Sequence, residues 1–92
     1  MMPSFGHARI SGHALEEMER RSIEKSIVID ILNSPDTMHD LSGGRIVLHK
    51  ILIANEQNKA LLYRVFVDTD RSPPVVVTVY KTSKISKYEL KQ

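Results

Sequence analysis

The chain has 92 residues, a formal net charge of +2 and no cysteine. This length favours one domain spanning residues 1–92, and without cysteine there is neither a disulfide framework nor a thiolate metal site. No stretch approaches the ~20 apolar residues of a membrane-spanning helix, and the N-terminus lacks the apolar core of a signal peptide. We therefore expect a cytoplasmic protein without a membrane partner.

Positive charge is concentrated at one end of the chain. Residues 81–92 hold four lysines and one glutamate, a local charge of +3 that leaves about −1 for the rest. A basic C-terminal tail over residues 83–92 suits contact with RNA, DNA or an acidic partner, although a solvated lysine-rich tail is the commoner case.

The N-terminal third predicts two helices. Residues 1–12 are weakly patterned and are expected to be weakly ordered, with at most a short edge strand near Ile10. A helix is predicted from His13, with Ala14, Leu15 and Met18 on its apolar stripe and Glu17 paired with Arg21 on the other side. A second helix is predicted from Glu24 to Leu32, ending before Pro35, so that the two form a hairpin.

Four antiparallel strands are predicted after the helices. Their bounds follow from their β-branched and aromatic content and from the turn signals between them. These turn signals are SGG at residues 42–44 and NEQNK at residues 55–59. These strands are Thr37 to Leu41, Arg45 to Ala54, Leu61 to Asp68 and Val75 to Thr82.

The predicted fold class is α+β, with an N-terminal helical hairpin packed on a four-stranded antiparallel sheet. Because side chains alternate along a strand, Val65, Val77 and Val79 are expected beneath the helices. The opposite, open face is then expected to present Arg64, Thr78 and Tyr80. The register of the strand from Arg45, and therefore the face that His49 and Lys50 occupy, is left open by the sequence.

The order of several short motifs resembles a known family. They are His13, Ala14, Met18, Arg21 and Ile23, then LYRV, then VVTVYKTSKISKY. In this order they resemble small uncharacterised prokaryotic domains with an HA-x-x-R-M-x-x-R-G-I signature, associated with the RelE/ParE-like toxin superfamily near the BrnT-type toxins. Glu17 stands where the signature has its first arginine, and Ser22 replaces its glycine.

This resemblance implies a RelE/ParE-like fold of two helices over an antiparallel sheet. It also implies a ribonuclease toxin neutralised by a partner antitoxin. Because one fold serves many activities, the chemistry has to be argued from the residues themselves.

Metal-independent RNA cleavage needs a base, an acid, cations that stabilise the phosphorane and a surface that holds the strand. The predicted catalytic residues are His13, Arg64 and Tyr80. The predicted RNA-binding residues are Arg21, His49, Lys81, Lys84 and Lys87. No cofactor is expected, and no metal, since His39 and His49 flank a hairpin without a carboxylate cluster.

Each of these residues also has a purely structural interpretation. His13 is suited to cap its helix, and Arg21 to pair with Glu17. Arg64 is suited to pair with a carboxylate such as Asp68 or Glu17, and Tyr80 to lie on the sheet with a solvated hydroxyl.

Three functions follow as hypotheses. The first is a toxin-like component that binds and cleaves RNA, free or on the ribosome, and is held by an antitoxin. The second is a non-catalytic protein-binding or regulatory module that binds a partner peptide or forms a homodimer. Two observations favour it, the glutamate at position 17 in place of the arginine of the signature and the lack of a clear acid–base pair. The third is nucleic-acid binding without cleavage through the lysine tail.

Overall fold

The computed structural model describes residues 4–54 and 59–88. Within them the chain forms five strands and three helices, which confirms the predicted α+β class. The strands are β1 (Arg9–Ile10), β2 (Thr37–Asp40), β3 (Arg45–Ala54), β4 (Lys59–Asp68) and β5 (Val75–Thr82), and the helices are α1 (Gly12–Arg20), α2 (Lys25–Asn33) and α3 (Ile85–Tyr88).

The strands form one mixed sheet in the order β1-β5-β4-β3-β2. Strands β2 to β5 pair antiparallel with their neighbours, whereas β1 pairs parallel with β5. The N–H of Arg9 donates to the carbonyl of Pro74 at 2.8 Å, and that of Ser11 to the carbonyl of Val76 at 3.0 Å. The sheet therefore has a fifth, parallel strand beyond the four antiparallel strands predicted, and this strand lies near Ile10, where the sequence allowed at most a short edge strand.

Helices α1 and α2 lie on the same face of the sheet. Ser11 begins α1 as its N-cap, accepting the N–H of Ala14 at 3.1 Å on its hydroxyl. A positive φ of 57° at Ser22 turns the chain toward α2. Since α1 packs mainly on β5, and α2 on β3 and β4, the helices are held by the sheet more than by each other. The predicted helical hairpin is therefore confirmed only in part, because both helices cover one sheet face but their main contacts are with the strands.

The core lies between these helices and the sheet. Leu48, Val65 and Val79 are fully buried there, as is Val76, and each such side chain contributes about 1.5–3 kcal/mol by burial. The pairing of β4 with β5 shifts register between Phe66 and Val67. This irregularity puts Val76 in the core, so the prediction that Val77 lies there is wrong, because strict alternation does not hold across a bulge.

The distal face is defined here as the sheet face that points away from α1 and α2. Directly opposed residues of paired strands share a face, and His49 opposes Arg64, which opposes Tyr80. Arg64 and Tyr80 therefore lie on the distal face, as predicted, and the register of β3 adds His49 to them. Val47 is also buried on this face, at 2% exposure.

The predicted bounds of β3 and β5 are confirmed. Gly43 and Gly44 make the turn before β3 with φ values of 75° and 79°, which a glycine adopts without strain. The turn predicted over residues 55–59 lies outside the described residues except for Lys59, as do residues 89–92 of the tail. In the described part of the chain no helix is long and apolar enough to cross a membrane.

Candidate functional site

A row of polar side chains crosses the distal face, one from each of three adjacent strands. Arg64 of β4 lies between His49 of β3 and Tyr80 of β5. Its Nε–H donates to Nε2 of His49 at 3.0 Å, and its Nη1–H donates to the Tyr80 hydroxyl. The guanidinium is thus fixed from both sides by cross-strand neighbours.

The hydrogen bond from Arg64 determines the state of His49. Arginine is always a donor, so Nε2 of His49 accepts with its lone pair, and the ring proton of the neutral form is assigned to Nδ1. Burial, then the positive charge of Arg64, then that of His39, lowers the pKa of His49 to about 4. His49 is only 7% exposed. It is therefore neutral at pH 7.

A second imidazole stands next to His49. The ring centroids of His39 and His49 are 5.0 Å apart at an angle of 58°. Nε2 of His39 is buried and has no hydrogen-bond partner among the described residues. A buried polar atom of this kind costs stability.

Aromatic rings flank the guanidinium. Cζ of Arg64 lies 5.1 Å from the ring centroid of Phe66 and 5.3 Å from that of Tyr80. The two rings stack with their centroids 6.2 Å apart. Cation–π contacts of this kind are worth about 0.5–1 kcal/mol at exposed sites and more where water is excluded.

The end of α1 brings a second cation to the row. Cζ of Arg21 lies 5.7 Å from the Tyr80 ring, while its Nη2 is 3.8 Å from Oε2 of Glu17. The predicted pair of Arg21 with Glu17 is thus present, and Arg21 reaches Tyr80 as well.

His13 lies in the helical layer. Its Nε2 is 3.6 Å from Oε2 of Glu17, which also accepts a hydrogen bond from Arg20 at 3.0 Å. Glu17 is 8% exposed, although its place opposite the apolar stripe predicts a solvated side chain. The imidazole that contacts Arg64 is therefore His49, and the structure does not bring His13 together with Tyr80 and Arg64 in one hydrogen-bonded group.

Of the three predicted RNA-binding lysines, Lys81 points away from Arg64. Lys81 alternates with Tyr80 on β5 and so points to the helical face, where its Nζ donates to the Ser22 carbonyl at 3.3 Å. Lys84 and Lys87 are exposed beyond the end of β5, Lys87 on α3.

Within the part of the chain that the structure describes, neither of the two carboxylates predicted as partners of Arg64, those of Asp68 and Glu17, forms an ion pair with it. Asp68 opposes Arg45 directly, accepts from its Nε at 2.6 Å, and has its pKa lowered chiefly by that hydrogen bond. The sequence signal that would have found the contact between Arg64 and His49 is the register of β3, because His49 had to face either Arg64 or the helices. In the described ranges no three His, Cys, Asp or Glu side chains converge as metal ligands do.

These features define an α+β domain with two helices on one face of a mixed sheet and an Arg–His–Tyr row on the other. Residues 10–81 match the family described as a domain of unknown function, DUF4258. The match covers more than three quarters of the chain, which therefore belongs to this family, and it includes His49, Arg64 and Tyr80. No curated protein and no solved structure matches the chain.

Proposed function

We propose that the chain is a toxin-like RNA-binding protein that cleaves RNA without a metal at the distal face. The observation that carries this proposal is the grouping of Arg64, His49 and Tyr80, which combines a fixed cation with two proton-exchanging groups. The same proposal includes a RelE/ParE-like fold and an antitoxin partner. The fold is supported by the two helices, which cover one sheet face, while the polar row lies on the other face. An RNA substrate also places the protein in the cytoplasm.

The first step is phosphate binding by Arg64. A phosphate oxygen is a better acceptor than an imidazole nitrogen or a phenol, because charge-assisted hydrogen bonds are roughly twice as strong as neutral ones. A bound phosphodiester therefore draws the guanidinium N–H groups away from His49 and Tyr80. Arg21, beside the Tyr80 ring, adds positive charge on the same side.

The second step is proton transfer. The negative phosphate offsets the charge of Arg64, one of the causes that hold the pKa of His49 near 4, so His49 becomes a stronger base as its Nε2 is released. His49 then takes the proton of the ribose 2′-hydroxyl while that oxygen attacks phosphorus. The bond from phosphorus to the 5′-oxygen breaks, and the leaving oxygen takes the phenol proton of Tyr80. The products are a 2′,3′-cyclic phosphate and a 5′-hydroxyl.

The test is cleavage of end-labelled RNA, alone and on translating ribosomes, by the purified chain in EDTA. We expect 2′,3′-cyclic ends from the unaltered chain and large losses of rate in Arg64→Ala, His49→Gln and Tyr80→Phe. Arg45→Ala is the matched control, because Arg45 lies on the same face but pairs with Asp68. No cleavage of either substrate, together with no growth defect on expression, would refute the enzymatic part.

A non-catalytic binding module is the second candidate. Ile51 and Ile53 of β3 are 39% and 62% exposed and lie on the distal face with His49, an apolar surface that RNA cleavage does not use. On this hypothesis a complex with a partner, or a homodimer, survives Arg64→Ala and His13→Ala and is lost in Ile53→Asp. Size-exclusion chromatography with light scattering, with and without co-expressed neighbours, separates the two candidates.

A further inference from the structure

A groove opens on the helical side of the molecule, away from the distal face. Its volume is about 340 Å³, and it is lined by the N-terminal segment, α1 and α2. Leu32, 1% exposed, lies at its base, while Leu15 and Ile29 form apolar walls that remain 45% and 40% exposed. Large aliphatic side chains with this exposure, converging from two helices, are typical of an interaction site.

Two cations stand at the same groove. Arg9 of β1 and Lys25 of α2 are both exposed and both line it. Lys25 precedes Ile29 by one helical turn, so the two share a side of α2. Among the described residues, neither Arg9 nor Lys25 takes part in an ion pair, whereas Lys50 of β3 is paired with Asp30 of α2.

We propose that this groove binds a short, acidic, amphipathic segment of a partner protein. Aliphatic side chains on one side of the segment fill the space between Leu15 and Ile29, and carboxylates beside them pair with Arg9 and Lys25. Recognition of one helix face by an apolar groove with a charged rim is a common mode of protein binding. The combination of an apolar floor and two cations selects acidic over basic segments.

The shape of the groove favours a peptide over a small molecule. A pocket for a small ligand encloses most of the ligand surface, but here the walls are themselves nearly half exposed and contact an occupant from one side only. The volume suits two or three aliphatic side chains. This site is independent of the RNA chemistry proposed above, since its lining contains none of Arg64, His49 and Tyr80.

The test uses a matched pair of labelled peptides and the full chain. Each peptide has about 12 residues, roughly three helical turns, with leucines spaced along one helix face; one carries glutamates at the other positions and its counterpart carries lysines. We expect the acidic peptide to bind, with amide shifts in nitrogen-15 spectra centred on residues 6–10, Leu15 and Ile29. The basic counterpart is expected to bind at least about tenfold more weakly.

Charge reversal gives the decisive comparison. Arg9→Glu combined with Lys25→Glu is expected to reverse the preference, so that the basic peptide binds more tightly. Neutralising either cation alone is expected to weaken the acidic peptide by about two- to fivefold. The control reverses two exposed cations that do not line the groove, Lys59 and Arg71, to glutamate, giving the same change in net charge with the preference unchanged.

Three results would overturn the proposal. The first is that neither peptide binds, and the second is that both bind equally or shift residues of the distal face. The third is self-association that disappears in Leu15→Ser with Ile29→Ser, since the groove would then be occupied by a second copy of this chain. RNA cleavage is expected to be unchanged in all of these variants, so failure here is distinct from failure of the proposed function.

Discussion

Acidification is expected to destabilise the protein through His49. The folded-state pKa of this residue is about 4, against an ordinary value of 6.5. Between these values the unfolded chain binds a proton that the folded chain does not, so the free energy of unfolding falls as the pH falls through that window. The stabilisation is complete above pH 6.5 and lost below about pH 4.

The size of this effect follows from the same two values. Their difference corresponds to ~3 kcal/mol, and partial screening by solvent reduces the expected loss to about 2 kcal/mol. This is a large part of the stability of a small domain. In Arg64→Gln the pKa of His49 is expected to rise without reaching 6.5, because burial is the larger cause and remains.

The assay is urea unfolding followed by circular dichroism at several pH values from about 7 to about 4, since the chain has no tryptophan. His49→Gln is the reference variant, and the difference between its pH profile and that of the unaltered chain isolates the contribution of His49. A direct check is the titration of the His49 ring protons by NMR. A midpoint near 6.5, or identical pH profiles for the two proteins, would refute the reasoning.

Three further predictions concern the core, a helix cap and the tail. Val76→Ala is expected to cost about 2 kcal/mol of unfolding free energy and Val77→Ala about half as much or less, because only Val76 is fully buried; equal losses in urea unfolding would contradict the bulge. Ser11→Ala is expected to cost about 1 kcal/mol by removing the cap of α1, and Ser11→Asp to restore most of it; an unchanged midpoint of unfolding in Ser11→Ala would argue against the cap. A lysine that contacts a phosphate adds about 1 to the slope of log RNA affinity against log salt, so Lys84→Ala and Lys87→Ala are each expected to lower this slope by about 1. The slope is measured by fluorescence anisotropy, and an unchanged slope would show that the tail does not bind RNA.

Much of the architecture could be predicted because the local sequence pattern of several segments agrees with the secondary structure that they form. The bounds of β3 and β5 follow from their β-branched content and from the turn residues before them, and the alternation along β4 places Arg64 on the correct face. These features depend on neighbouring residues only, which is the information that a single sequence contains.

What could not be predicted depends on pairing between distant segments. Val77 was expected in the core, but the bulge between β4 and β5 puts Val76 there. The contact of His49 with Arg64 depended on the register of β3, which no local pattern specifies. Glu17 shows the same limit on a helix, since its burial was not visible in the pattern along α1.

The parallel pairing of β1 with β5 bears on how the chain is made. Residues 9–10 leave the ribosome 66 residues ahead of their partners, Val75 and Val76, because Arg9 pairs with Val75 and Ile10 with Val76. Until β5 has emerged the first strand has no edge to join, and Ile10 lacks its neighbour Val76. The sheet can therefore be completed only after β5 has been synthesised, and the N-terminal segment is the last to join it.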